Sequence, residues 1–185
     1  NQAPSNRLFG VDVLVCDHAA FGLFLEERIL ERRTLNRVHS GFAVWNPKGE
    51  HMRLWHYDLL AFLPRSQLLA QWRELNSIYA KQDQHVLINY VYAYDKSHLY
   101  VYSLAVMAEM QARGYTIRSF DKMKAYFDDA DLSDLPERVF PEHHTLEYVT
   151  ICYYNLYEKF LRGQKDYAAE QFALLQQYVE DLQAA

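Results

Sequence analysis

The chain of 185 residues has the size of one domain, with or without an appendage, and half of it is hydrophobic, enough for a sizeable core. No apolar run approaches the ~20 residues of a membrane span, and the opening stretch NQAPSNRLFG does not read as a secretory leader. The net charge of -5 has the wrong sign for a protein that holds nucleic acid by bulk electrostatics, which leaves only a local basic patch for that purpose.

Residues 1–51 read differently from the remainder. Val11–Val15 (VDVLV) suggests a short strand and Phe24–Arg33 a turn or two of helix, followed by the turn signal Asn46-Pro47-Lys48-Gly49. This segment carries 6 basic and 6 acidic residues, so the whole charge deficit falls in residues 52–185, with 13 basic against 18 acidic. It reads as an accessory extension, an upstream translation or a cloning remnant. Cys16 and Cys152 are far apart and form no metal-binding spacing, so a cytoplasmic protein with free thiols is the simplest expectation.

From Pro64 the pattern turns helical. Pro64 suits a first turn, and Leu68, Leu69, Trp72, Leu75, Ile78 and Tyr79 recur at three- and four-residue spacing, with Arg73 and Glu74 flanking the stripe. His85–Tyr94 (HVLINYVYAY) fits either a strand or an extended lead-in. The alternation of Tyr90, Tyr92, Tyr94, Tyr100 and Tyr102 suggests one face of an extended segment. Asp95 or Ser97 would cap a helix over about Ser97–Arg113, stopped by Gly114. Its inner stripe is Leu99, Tyr102, Val106 and Met110, with Leu104 and Met107 beside it. A loop-rich stretch follows, with a short helix at Asp121–Phe127. Two further helices are expected, Thr145–Leu161 ended by Gly163, and Asp166–Gln183 with Asp166 as its cap and Phe172, Leu175, Val179 and Leu182 on one side. The expected fold is mainly α. It is a compact bundle of three to four helices with loop-rich connections, preceded by an irregular N-terminal segment, with the domain over residues 52–185.

Several signals then fall in a recognisable order: the start MRLWHYDLLAFLPRSQLLAQWREL from Met52, Arg73-Glu74-Leu75, His85-Val86, Tyr94-Asp95-Lys96, Arg113-Gly114-Tyr115, and Asp131-Leu132-Ser133-Asp134-Leu135-Pro136. Residues 52 to about 162 thereby resemble the pyrimidine-dimer DNA glycosylase/AP lyase family, also called endonuclease V-like, and its bacterial branch in particular. The resemblance implies a DNA repair enzyme that works on damaged duplex DNA without a cofactor. Its nucleophile is the α-amine at the chain start, here Met52 or Arg53. Such an amine has a pKa of roughly 7.7–8, against about 10.4 for lysine, so far more of it is neutral near pH 7. It forms an imine with the damaged nucleotide. Glu74 matches the carboxylate that stabilises the cationic sugar and moves protons for strand cleavage, and Arg73 matches a residue on the DNA backbone. His56 and His85 are further candidates for nucleic-acid contact.

Other clusters have plainer readings. Glu74 by itself reads as a solvated carboxylate or an ion-pair partner of Arg73 or Arg113. Trp55 and Trp72 read as core. His56 and Asp58, with His85 or His98, could share a metal, but no recognised motif supports it, and no metal is expected. His143-His144 reads as a surface pair. The acidic run Asp128–Asp134 lacks the glycine and spacing of a calcium loop and reads as solvated. A rival function is a non-catalytic helical binding protein on the same fold, motivated by the acidic charge, by Arg53 after Met52 and by the added last helix. The sequence does not set the oligomeric state.

Overall fold

The protein was analysed as a computed structural model that describes residues 53–82 and 84–184. The strand expected at Val11–Val15, the helix at Phe24–Arg33, the turn at Asn46–Gly49, Cys16 and Met52 lie outside the described residues. So does the extension 1–51 as a whole.

The described chain begins with an irregular stretch, 53–56, that leads into a 3-10 helix, Tyr57–Phe62. The His56 ring accepts the Asp58 N–H through Nδ1 at 3.2 Å and so caps that helix. Arg113 closes its other end, donating from Nη1 to the Leu63 carbonyl at 2.6 Å and from Nη2 to the Ala61 carbonyl at 2.8 Å. A cation on carbonyls at a helix C-terminus offsets their partial negative charge. Arg113 also pairs with Glu109, one turn back on its own helix.

Helix α1 (Arg65–Lys81) follows Pro64, which stands at the N-cap. Leu68, Leu75 and Ile78 of the expected stripe are fully buried and Tyr79 nearly so, while Leu69 and Trp72 lie half-buried at its edge. The helix ends at Gln82, whose left-handed backbone (φ 49°) lets its N–H reach the Ile78 carbonyl. The Ser66 N–H in the first turn is satisfied from far along the chain, by Asp166 at 2.5 Å. Asp166 was expected to cap the last helix. That helix starts later, at Ala169, and the Asp166 carboxylate instead caps α1.

Residues 85–94 form neither a strand nor an extended lead-in. A turn leads into a second 3-10 helix, Asn89–Ala93. Tyr90, Tyr92 and Tyr94 therefore do not share the face of an extended segment, and Tyr100 and Tyr102 belong to the following α-helix. Alternation at spacing two was misleading because the local hydrogen bonds close back on themselves: Ile88 and Asn89 both donate to the His85 carbonyl.

Helix α2 (Lys96–Ala112) is the central element. Its buried residues include Leu99, Val101, Tyr102, Ala105, Val106, Met107 and Met110, so it is apolar nearly all round, as a helix covered on several sides must be. It packs on α1 and on both 3-10 helices. Gly114 follows with φ +78°, the conformation that stops the helix. The short helix α3 (Asp121–Tyr126) covers α1. Helix α4 (Leu146–Leu161) starts at Thr145, whose hydroxyl accepts the Tyr148 N–H, and ends before Gly163 (φ +72°). Helix α5 (Ala169–Ala184) buries Phe172, Leu175 and Val179 as expected. Phe172 stacks on Phe160 of α4 with ring centroids 4.4 Å apart.

A cluster of rings fills the space between α2 and the loop before α4. Phe140 lies at its centre, fully buried, against Tyr90, Tyr94, His98, Tyr102 and His144. Its φ of +47° is strained for a non-glycine residue, and the burial of its ring holds it there. The expected surface pair His143-His144 is split. His143 is exposed and stacks on Tyr90 at 4.4 Å, whereas His144 is buried in the core. The fold is thus mainly α, with no strand among the described residues. No helix among them is long and apolar enough to cross a membrane. The described residues from Arg53 to Glu180 belong to one compact unit.

Candidate functional site

Residues 53–56 belong to no strand or helix and Tyr57 only opens the 3-10 helix, so side chains from the surrounding elements satisfy much of their backbone. The Arg53 N–H donates to the Glu74 carboxylate. The Leu54 carbonyl accepts the Tyr148 hydroxyl at 2.6 Å. The Trp55 N–H donates to Gln71 Oε1 at 2.9 Å, and the Trp55 carbonyl accepts the Tyr102 hydroxyl at 2.7 Å. The Tyr57 N–H donates to His144 Nδ1 at 3.1 Å. Helices α1, α2 and α4 and the loop before α4 thereby converge on one short segment. Buried backbone groups need such partners, and here each partner fixes the position of the segment.

Glu74 lies on α1 at the edge of the apolar stripe. Burial pushes its carboxyl up from 4.5 to about 7, against the Arg53 N–H, the Arg73 and Arg53 guanidiniums and the Gln71 amide, all of which favour the charged form. A carboxyl that is half ionised near neutral pH can both take and give a proton. Gln71 is fully buried, three residues before Glu74, and donates from Nε2 to Glu74 Oε2 at 3.1 Å.

The structure brings Glu74, Arg53 and Arg73 together. Arg53 is half-buried, with its guanidinium carbon 5.8 Å from the centre of the Trp55 ring. Arg73 is exposed beside Glu74. Arg113, the other expected ion-pair partner of Glu74, is engaged with Glu109 and the 3-10 carbonyls. Met52 adjoins Arg53 but lies outside the described residues. His56 is only 3 % exposed, and its ring stacks on His144 at 5.0 Å between centroids. His85 serves its own turn, its Nδ1 accepting the Leu87 N–H at 3.3 Å. Trp55 is core, as expected. His98 Nδ1 is taken by the Phe140 N–H at 3.0 Å. Among the described residues no group of three or more His, Cys, Asp or Glu is placed to hold a metal.

Sequence reasoning missed Gln71, Tyr102, Tyr148 and His144 as parts of this site. Gln71 left a signal: it stands three residues after Leu68 and four before Leu75, a polar group on the apolar stripe. Tyr102 was placed on the inner stripe of its helix, but nothing local marks its hydroxyl as a ligand of residue 55. The Tyr148 and His144 contacts span 94 and 87 residues and have no local signature. His144 is held with its Nδ1 lone pair facing the Tyr57 N–H, so the neutral ring donates from Nε2 to the Tyr90 hydroxyl at 2.9 Å.

No curated protein and no solved structure matches the chain at a significant level. A family model described as pyrimidine dimer DNA glycosylase matches residues 52–123. The matched stretch opens at Met52 and includes Arg53, Gln71, Arg73, Glu74 and Tyr102. It stops before the loop Asp131–Pro136, and it supports a pyrimidine dimer DNA glycosylase-like function. Over residues 52–123 the chain is therefore similar to the pyrimidine dimer DNA glycosylase family.

Proposed function

We propose that this protein is a DNA glycosylase with AP lyase activity on pyrimidine dimers in duplex DNA, acting through an α-amine at Met52 or Arg53. The observation that carries this reading is the hydrogen bond from the main-chain nitrogen of Arg53 to the Glu74 carboxylate. A nitrogen at this point of the chain is placed to work with that carboxylate. Within an intact chain it is an amide, whose lone pair is delocalised and which is no nucleophile. The reaction needs a chain that begins at Met52 or Arg53.

The amine attacks C1′ of the damaged nucleotide while the bond from C1′ to the base breaks, and the base departs with the bonding pair and takes up a proton. The attacking nitrogen gives up a proton, and its lone pair then forms the C=N bond of the protonated imine as the C1′–O4′ bond breaks; O4′ takes the bonding pair and a proton, which opens the sugar ring. Removal of a proton from C2′ then expels the 3′ oxygen and cuts the strand. Glu74, poised near neutrality, stabilises the cationic sugar and serves as the local proton acceptor and donor. Arg73, exposed beside it, holds a backbone phosphate. The damaged nucleotide must leave the base stack to reach these groups.

Borohydride trapping tests the reading, because it reduces an imine to a permanent cross-link. Ultraviolet-irradiated duplex is offered to the full chain and to a chain beginning at Met52. A cross-link with the shorter chain only is the expected result. No cross-link with either, on irradiated or abasic duplex, would overturn it. The rival reading, a non-catalytic helical binding protein, is favoured by the excess of acidic over basic residues in 52–185. Salt separates the two, because affinity for DNA falls steeply with ionic strength.

A further inference from the structure

We propose that Gln71 is a positioning residue: its side-chain amide fixes the plane of the Glu74 carboxylate and ties it to the main chain of residue 55. This rests on the reading of Glu74 as the reactive carboxylate.

Gln71 is 0 % exposed, and both ends of its amide have partners. Oε1 accepts the Trp55 N–H at 2.9 Å and also faces the Tyr102 hydroxyl at 3.1 Å. Nε2 donates to Glu74 Oε2 at 3.1 Å. The orientation of the amide is dictated by its partners. Trp55 offers an N–H, which requires an oxygen, so the nitrogen must face the carboxylate. The Tyr102 hydroxyl has a single proton, which goes to the Trp55 carbonyl at 2.7 Å, so the Trp55 N–H is the group that sets the amide. A residue serving only the fold of Trp55 would need an acceptor and nothing more. The donor directed at Glu74 goes beyond that need. It commits one carboxylate oxygen and sets the angle at which the carboxylate meets the nitrogen of residue 53.

The variant Gln71→Glu separates the two roles. It is nearly isosteric and keeps an acceptor for the Trp55 N–H, but it replaces the donor toward Glu74 with a second carboxyl. Two carboxyls at that distance share a proton, which raises the later titration of the pair. The titration of Glu74, followed by 13C NMR of its carboxyl in the full chain, is expected to move upward by a unit or more in Q71E. In the chain beginning at Met52, trapping on irradiated duplex is expected to slow on the order of tenfold to a hundredfold, with duplex affinity unchanged. If Q71E does not fold, Gln71→Asn takes its place. It carries the same amide one carbon shorter, cannot span Trp55 and Glu74 together, and is expected to shift the titration in the same sense. An unmoved Glu74 titration in the folded variant overturns the proposal, as does a trapping rate equal to that of the parent. If the parent itself fails to trap, the catalytic reading falls, and the carboxyl titration still decides whether Gln71 positions Glu74.

Discussion

The main-chain nitrogen of Arg53 donates to the carboxylate of Glu74, which places the start of the family-matched segment against the one carboxyl in the described structure that burial pushes up to neutrality. Glu74 is the fixed point of the site. Its ionisation is set by its surroundings.

Glu74 has a folded pKa of about 7 against an ordinary 4.5. The folded state holds this proton more tightly than the unfolded chain does. Its contribution to stability is therefore full below 4.5 and is lost as pH rises through about 7. Glu74→Gln removes the titration. Above pH 7 the variant is expected to be more stable than the parent, by on the order of 1–3 kcal/mol, and the gap should close below 4.5. Urea unfolding at both ends of this range checks it, and an equal offset at both would show that the carboxyl is not desolvated.

A chain beginning at Arg53 converts the donating amide into an α-amine beside the same carboxylate. Opposite charges in contact favour both charged forms. Glu74 is then expected to titrate below the value of about 7 given by the continuous chain, and the amine above its ordinary ~7.7–8. Carboxyl and amine NMR titrations of the shortened chain read this directly. A Glu74 titration unchanged by shortening would place the new amine away from it.

Asp166 caps α1 from 100 residues away by accepting the Ser66 N–H. Asp166→Ala is expected to cost about 0.5–2 kcal/mol, toward the lower end because the contact is exposed. Hydrogen exchange should show the loss in the first turn of α1, around Ser66 and Gln67. Were Asp166 the cap of the last helix, the loss would fall around Ala169 and Glu170 instead.

Burial, then the charges of His56 and His143, hold His144 well below the usual histidine value. The folded pKa is depressed, so the stability it contributes is full above about 6.5 and is lost as pH falls through the folded value. Unfolding experiments from about pH 7 down to 5 should show this decline. His144→Gln can still accept the Tyr57 N–H. It is expected to cost about 1–3 kcal/mol at neutral pH and to flatten the acid limb.

The four long helices were legible because each has a periodic apolar stripe and local stop signals. Gly114 and Gly163, both left-handed, end two of them where expected. The candidate pair Arg73-Glu74 was legible through its distance from Met52, and both residues lie inside the stretch that the family model matches. Where local cues competed with tertiary ones, the reading failed. Tyrosines alternating at spacing two look like a strand, but the turn at His85 and the rings packed around Phe140 coil that segment instead. Asp166 looks like a local cap, yet a better-placed N–H comes from α1. His144 looks like a surface neighbour of His143, yet its Nδ1 is drawn inward to accept the Tyr57 N–H.

Side-chain periodicity and residue type are local properties, and they were enough to read the four long helices and the buried stripes of α1, α2 and α5 from the sequence. Only the tertiary structure decided that the segment Arg53–Tyr57 is held by Gln71, Tyr102, Tyr148 and His144, and that Glu74 sits beside the nitrogen of Arg53 in a site dry enough to bring its carboxyl to neutrality. Hydrogen-bond partners drawn from three helices and a loop, and the desolvation they produce, exist only once those elements pack.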